Sequence, residues 1–305
     1  KLGKRNFFLF GELLGPEEMY NSYIGPKTSV QVEDTAIYYG LNSVLDFPLY
    51  NVLADVMLGK DTPEKLIERY ESLRRSAMSR GEFGEFLVTF IDNHDQVGQQ
   101  FKKRFGHEAT EAQIIAAMGF LLCTLGTPCI YYGTEQGFHG AGEGDWNVRE
   151  AMFSLENTTL NALNKNNTIY KEVAGLADIR KKSAVLKFGR MYMRESSEDG
   201  KTFTLPVYQD SMLAFSRILY DEEMLFVYND SLIYDDEEYI GVDRALNPEG
   251  SVFRFCYGAT GKVHVLKNED GSHHFVKIKL KPSQFVILTN KTITSADEQG
   301  IAESS

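Results

Sequence analysis

The sequence predicts an α/β domain built on a parallel sheet, followed by an all-β domain of short antiparallel strands. Three observations predict this. Short, continuously apolar runs end in acidic or polar residues, helix patterns lie between them, and from about Met191 the pattern changes to short alternating runs set apart by turn formers.

The first apolar run covers residues 6–10 and ends in Gly11-Glu12. Continuous apolarity fits a strand buried on both faces, the habit of parallel sheets. A second run spans residues 43–47 and ends around Asp46; a third spans 86–91 and ends in Asp92-Asn93-His94-Asp95; a fourth spans 128–132 and ends at Gly133. Between them, Asp61-Thr62-Pro63-Glu64 supplies a capping residue, an early proline and acidic charge at a helix start. Leu66, Ile67, Tyr70 and Leu73 then fall on one helical face. Another helix is predicted from about Glu111 to Leu125, with Gly126 placed to end it. Strand–helix–strand alternation implies crossovers and a parallel sheet. The polar residues gather at the C-terminal ends of the strands, where a β/α barrel carries its active site.

After a helical segment at residues 169–182, alternating runs occur at 213–217, 224–228, 252–255, 274–278 and 284–288. Asn229-Asp230 and Glu269-Asp270-Gly271 are among the turn formers between them. This predicts a first domain over residues 1–190, an antiparallel β-sandwich over 191–290 and a polar tail over 291–305.

Composition narrows the function. A chain of 305 residues can hold one large or two modest domains, and 43% hydrophobic with 25% charged residues is ordinary for a globular protein. The net charge of −11 argues against nucleic acid and against an anionic membrane surface as partners. Residues 114–133 carry no charge and are long enough to cross a bilayer, but Gly126-Thr127-Pro128 interrupts them. A helix followed by a buried strand accounts for them better. Cys123, Cys129 and Cys256 have the spacing of neither a disulfide framework nor a zinc site, and are read as small buried hydrophobes. The chain starts at Lys1 with no signal-peptide core, and the compartment is left open.

Three motifs in order carry the chemistry: Phe10-Gly11-Glu12, then Phe90-Ile91-Asp92-Asn93-His94-Asp95, then Gly126 to Glu135 (GTPCIYYGTE). With Arg149-Glu150-Ala151-Met152-Phe153 after the last of them, the chain resembles the α-amylase superfamily of retaining glycosidases, glycoside hydrolase family 13. The resemblance implies the C-terminal half of a (β/α)8 TIM barrel, strands 5 to 8, followed by that family's β-sandwich domain. It implies Glu12 as general acid/base and Asp95 as the carboxylate that stabilises the transition state. His94, Asn93 and Arg149 become substrate-binding residues, and Tyr131 to Glu135 holds the barrel rim. The residue types suit the reaction, because glycosidic cleavage needs a proton for the leaving oxygen and negative charge near an oxocarbenium-like centre. Burial after an apolar strand, or the charge of Asp95, would keep Glu12 protonated.

No residue matches the Gly-x-Arg-x-Asp motif from which the family draws its nucleophile. The expectation is therefore a chain without strands 1 to 4, inactive by itself, whose partners are an α-glucan or oligosaccharide substrate and the missing N-terminal half or a second copy. An α-glucan transglycosylase and a non-catalytic carbohydrate- or partner-binding relative stay open as alternatives. No cofactor is expected; calcium is possible in the full-length protein, with its ligands outside this chain. The acidic run Asp235-Asp236-Glu237-Glu238 lacks the spacing of a calcium loop and is read as solvated charge. Trp146, the single tryptophan, could stack on a sugar ring or plug the barrel rim.

Overall fold

The computed structural model describes residues 7–15, 19–20, 23–25, 28–32, 34–76, 83–153 and 162–291. The chain divides into two compact units, Lys1–Lys182 with Val207–Gln209, and Ser183–Pro206 with Asp210–Ser305.

In the first unit the described elements begin with strand β1 (Phe10–Gly11) and an antiparallel hairpin, β2 (Thr28–Val32) and β3 (Thr35–Tyr39). Strand β4 (Ser43–Leu45) leads into helices α1 (Phe47–Met57) and α2 (Glu64–Ser76), and β5 (Leu87–Thr89) follows. Then come β6 (Lys102–Lys103), helix α3 (Glu111–Cys123), β7 (Thr127–Pro128), β8 (Ala141–Gly142) and helix α4 (Thr168–Lys182). Strands β1, β4, β5 and β7 form one parallel sheet in that order. Phe10 pairs with Ser43, Val44 with Leu87, and Val88 with Thr127, so the C-terminal ends lie in step along one rim.

Local chemistry places the helices. Asp46 caps α1 by accepting from Leu49 N at 3.0 Å, with a proline in the first turn. Its carboxylate also pairs with buried Arg69 of α2 at 2.7 Å, which locks the two helices together. Thr110 and Gln113 form a reciprocal capping box at the start of α3. Leu66, Ile67, Tyr70 and Leu73 of α2 are buried. With 13 residues, α3 is too short to cross a bilayer, and no helix among the described residues is long and apolar enough to do so. Gly126, at φ +101°, turns the chain from α3 into β7; a Cβ there would lie 2.8 Å from the Leu87 carbonyl oxygen.

The hydrogen-bonded ladders are shorter than the apolar runs that predicted them. In the third run apolarity reports burial beyond the ladder, whereas Phe7, Phe8 and Phe10 of the first run and Ile130 and Tyr132 of the fourth are exposed, at the two edge strands of the sheet. After β5, Phe90 and Ile91 stay buried although pairing ends at Thr89. Single bonds from Asp46 N to Val88 O (2.9 Å) and Cys129 N to Thr89 O (2.7 Å) continue the register past the strand ends. Asn6, in the first predicted run, lies outside the described residues.

The second unit opens with the short helix α5 (Ala184–Phe188), capped by Ser183. Its strands are β9 (Arg190–Arg194), β10 (Ser196–Ser197), β11 (Met212–Leu219), β12 (Glu222–Asn229), β13 (Asp236–Val242) and β14 (Val252–Tyr257). Four more follow: β15 (Lys262–His264), β16 (Leu266–Lys267), β17 (His274–Leu280) and β18 (Phe285–Thr289). They make a six-stranded antiparallel sheet, β15-β14-β18-β12-β11-β9, and a four-stranded one, β10-β13-β17-β16. Met212, Ala214, Leu225, Val227 and Val286 from the first share one buried cluster with Ile240, Val242, Val276 and Ile278 from the second, so the two sheets pack face to face. On the six-stranded sheet a row of stacked rings, Tyr257, Phe285, Phe226 and Phe215, crosses four neighbouring strands with centroids 4.8–5.2 Å apart.

The run Asp235-Asp236-Glu237-Glu238 is not simply solvated charge. It leads into β13, where burial alternates along the strand. Glu237 faces out and pairs with Lys277 at 2.6 Å, while Glu238 is buried and accepts from Met212 N at 3.0 Å. The buried Glu223 carboxylate is fully engaged by Ser216, Arg194 (2.8 Å) and Asn247 (2.6 Å).

Candidate active site

The aligned C-terminal ends of β1, β4, β5 and β7 put four chain segments along one rim. Glu12 follows β1 directly, and its side chain is exposed. The burial expected from the preceding apolar strand is therefore absent at Glu12. At the end of β4, Asp46 is used up as helix cap and ion-pair partner.

The segment after β5 is the most elaborately held. Asp92 is buried and accepts two hydrogen bonds, from Phe105 N at 2.6 Å and Thr134 Oγ1 at 2.7 Å. Burial pushes its carboxyl above the ordinary range, against the pull of those two bonds and of the Arg104 charge. The hydroxyl of nearby Tyr50 is raised to about 12, through burial first and the Asp92 charge second. Asn93 Oδ1 accepts from Asp95 N at 2.7 Å, an Asx turn that presents the half-buried Asp95. His94 is exposed, its ring tilted toward Tyr131 with centroids 6.4 Å apart. Gln96 is buried and ties the turn to β6 like an extra rung, accepting from Lys103 N (2.9 Å) and donating to Lys103 O (2.6 Å).

The segment after β7 closes over this turn. Tyr131 donates to Val148 O at 3.0 Å and Tyr132 to Glu150 O at 2.8 Å. Between them lies the buried Arg104. Its guanidinium sits 4.5, 5.1 and 5.3 Å from the ring centroids of Tyr131, Tyr132 and Phe138, and pairs with Glu150 at 2.7 Å. Asp145 opens a short 3-10 turn, Asp145–Val148, and pairs with Lys102 at 2.7 Å, which holds its carboxyl below the usual range. Lys102 also donates to Gln96 O at 2.8 Å. Arg149 Nε donates to His94 O at 2.8 Å. These contacts join the 145–149 turn to the Asn93–Asp95 turn.

Of the residues singled out from sequence, Asn93, His94, Asp95 and Arg149 meet in this one cluster, and Glu12 stands on the same rim two strands away. Reading the sequence missed the supporting set: Asp92, Gln96, Lys102, Arg104 and Asp145. Asp92 was signalled only by its place at the end of the third apolar run, and Arg104, in Lys102-Lys103-Arg104, carried no signal. One expectation changes. Cys129 is exposed, because it follows the last rung of the sheet, while Cys123 is buried and Cys256 half-buried. Trp146 is 76% exposed in this chain. Among the described residues no group of three or more His, Cys, Asp or Glu side chains is arranged to hold a metal ion.

A parallel sheet with a carboxylate-bearing rim, followed by a two-layer β unit, defines an α/β protein with its polar groups gathered at the strand ends. The family profile of the α-amylase catalytic domain matches residues 5–174, and the chain belongs to that family. A β/α-amylase of Paenibacillus polymyxa is 30% identical over 237 residues, which cover 74% of this chain and 16% of that protein. A cyclomaltodextrin glucanotransferase of Paenibacillus macerans is 34% identical over 160 residues, 52% of this chain and 20% of that protein. The chain thus spans a fifth or less of the length of these relatives. An α-amylase from Geobacillus thermoleovorans, solved in complex with acarbose, superposes with a TM-score of 0.65 at 17% identity, covering 95% of this chain and 55% of that one. A γ-cyclomaltodextrin glucanotransferase from alkalophilic Bacillus clarkii gives 0.64 at 20% identity, over 93% and 36%. The α/β fold is shared with these TIM-barrel enzymes.

Proposed function

We propose that the chain supplies strands 5 to 8 of an α-amylase-type barrel and half of a retaining active site for α-glucans, with Glu12 as general acid/base and Asp95 as the carboxylate that stabilises the transition state. The observation that carries this reading is the sheet register: Glu12 and the Asn93–Asp95 turn follow strands that end in step on one rim. In the first half-reaction Glu12 would give its proton to the glycosidic oxygen as the C–O bond breaks and a carboxylate attacks the anomeric carbon. In the second, ionised Glu12 would take a proton from water, or from a sugar hydroxyl, as it displaces that carboxylate. Nothing in the sequence matches the family's nucleophile motif, so the nucleophile comes from outside this chain and the isolated chain is inactive.

Hydrolysis and glucanosyl transfer share every step but the acceptor. Amylase and cyclomaltodextrin glucanotransferase relatives make both readings available. Phe7, Phe8 and Phe10, exposed in β1 and just before it, form the surface that the preceding barrel strands, or a second copy, would cover. The family's calcium, if present in the full-length protein, would be held by residues outside this chain.

Coexpression with the N-terminal half of an α-amylase barrel, followed by an α-glucan cleavage assay, tests the reading. Activity that appears on complementation and is lost with Glu12→Gln is the expected result. A folded complex that binds maltooligosaccharide but turns nothing over would replace it with the non-catalytic reading.

A further inference from the structure

Trp146 is the single tryptophan of the chain, and at 76% it is among its most exposed large apolar side chains. Isolated exposure of that kind normally has no meaning. Here the surroundings give it one, because the indole is fixed in place and shut off on one side. A Cβ built on Gly144 would lie 2.2 Å from Cη2 and 2.3 Å from both Cζ2 and Cζ3 of the indole. An edge-on approach to Cη2 would leave its two ring neighbours much farther away, so the glycine lies beneath the ring's face. Gly144 has an ordinary φ of −117°, and it is this close approach, not backbone conformation, that requires a residue without a side chain.

The turn beneath the indole is held from several sides. Asn147 donates to Gly144 O at 3.0 Å, and Asn147 O crowds the position a Cβ on Gly140 would take. Asp145 is tied to Lys102 at 2.7 Å, and Arg149, just past the turn, donates to His94 O at 2.8 Å. One π face is thus closed by backbone, the other is open, and the platform is linked to the candidate catalytic turn. Asp145 precedes it in the turn and Arg149, bonded to the His94 carbonyl, follows it, so polar groups that can meet hydroxyls lie beside the platform in the same turn.

We infer that Trp146 is a stacking platform for a pyranose ring of an α-glucan chain, a binding position at the rim of the candidate site. The ligand class follows from the surface: a flat ring with C–H bonds on its faces and hydroxyls at its edge fits one open aromatic face with charged groups beside it. The inference rests on the proposed α-glucan reading for its substrate class, but it concerns binding alone.

Because Trp146 is the only tryptophan, its fluorescence reports this site without ambiguity. The chain as it stands would be titrated with maltoheptaose, with sorbitol as control, following emission and acrylamide quenching. A saturable emission change with protection from acrylamide is expected from maltoheptaose and not from sorbitol. Trp146→Ala should weaken maltoheptaose binding by calorimetry roughly tenfold, and Trp146→Phe by only about threefold. Gly144→Ala, which pushes the indole off its seat, should weaken binding while leaving the circular dichroism spectrum unchanged. Unchanged emission and quenching at saturating sugar, absence of binding, or equal affinity of the Trp146→Ala chain would each overturn the inference. If Trp146→Ala binds normally while Glu12→Gln abolishes turnover of the complemented protein, this inference falls and the functional reading stands. If fluorescence responds to sugar but turnover is indifferent to Glu12→Gln, the platform stands and the functional reading falls.

Discussion

The Asp46–Arg69 pair offers a quantitative test of how the first unit holds its rim. Both side chains are almost wholly buried, at 1% and 4% exposure, and the contact is 2.7 Å. Asp46 does two jobs: it caps α1 through Leu49 N and it neutralises Arg69. Asn caps a helix as well as Asp does, so Asp46→Asn removes the charge and keeps the cap. Removing the Asp46 charge that faces this buried guanidinium should cost up to about 3–5 kcal/mol. Asp46→Ala should add about 1 kcal/mol for the lost cap. Combining Asp46→Asn with Arg69→Met removes both charges at once and should cost less than about 2 kcal/mol, because a well-packed apolar substitute is often neutral. Against a total stability of about 5–15 kcal/mol, the single variants would sit near the edge of folding and the double variant would not. Urea unfolding followed by Trp146 emission reports on the first unit, and circular dichroism checks the helices. A coupling of at least about 2 kcal/mol between the two positions is expected. If Asp46→Asn costs about the same as the double variant and the effects simply add, the ion pair contributes nothing and Asp46 matters only as a cap.

The other predictions concern the second unit and the rim. Asp230 and Glu238 are each raised to about 7, by burial above all, with Asp210 and Asp236 adding like charge to the first and Asp236 to the second. Their folded values exceed the unfolded ones of about 4, so between those limits the folded state binds more protons and stability rises as pH falls from about 7 toward 4. Thermal unfolding of the second unit across pH 5–8 should show that slope, and Glu238→Gln should flatten it; a stability that instead grows with pH would contradict the assignment. At the rim, Arg149→Ala removes the 2.8 Å bond to the His94 carbonyl. An exposed bond of this kind is worth up to about 1 kcal/mol to the fold, so the urea midpoint should fall slightly, and kcat/KM of the complemented protein should fall by up to roughly fivefold through the loosened His94 turn.

How much of this was legible in the sequence differs from element to element. The ends of β1, β4 and β5 and the Asn93–Asp95 turn were readable because continuous apolarity followed by Asp, Asn or Glu has few other physical causes, whereas the fourth run, read over 128–132, pairs only at Thr127–Pro128. Helix α3 was readable from its uniform apolarity and from Gly126 placed just past its end. Strand β13 was not, since a strand that begins Asp-Glu-Glu looks like solvated charge until a neighbouring sheet buries every second residue. The hairpin β2–β3 also passed unnoticed, being short and flanked by polar residues. At the site, residues that present themselves to solvent were found and the residues that hold them were not. Arg104 is the clearest case. In Lys102-Lys103-Arg104 it reads as one of three surface cations, yet it is buried beneath three aromatic rings, because Tyr131, Tyr132 and Phe138 come from a segment about thirty residues further on.

The segment Asp92-Asn93-His94-Asp95 shows how environment, not residue type, separates a structural carboxylate from a reactive one. Asp92 accepts one bond per oxygen, from Phe105 N and from the Thr134 hydroxyl. An asparagine in its place could keep both, with its oxygen toward Phe105 N–H and its amide donating to a Thr134 hydroxyl that has rotated to accept. The same change removes a charge that burial disfavours. Asp92→Asn should therefore alter stability by less than about 1 kcal/mol and leave the complemented enzyme active, whereas Asp92→Ala leaves a buried N–H without a partner and should cost about 1–3 kcal/mol. Asp95 has the opposite profile. It is half-buried, and Asn93 engages its backbone N–H rather than its carboxylate, so the carboxylate is held ready rather than spent. Asp95→Asn should leave unfolding unchanged and lower kcat of the complemented protein by orders of magnitude, because only a charge can stabilise an oxocarbenium-like transition state. Measuring turnover and urea midpoints for the two Asn variants together decides the assignment: turnover lost at position 92 and kept at 95 would exchange the roles of the two carboxylates.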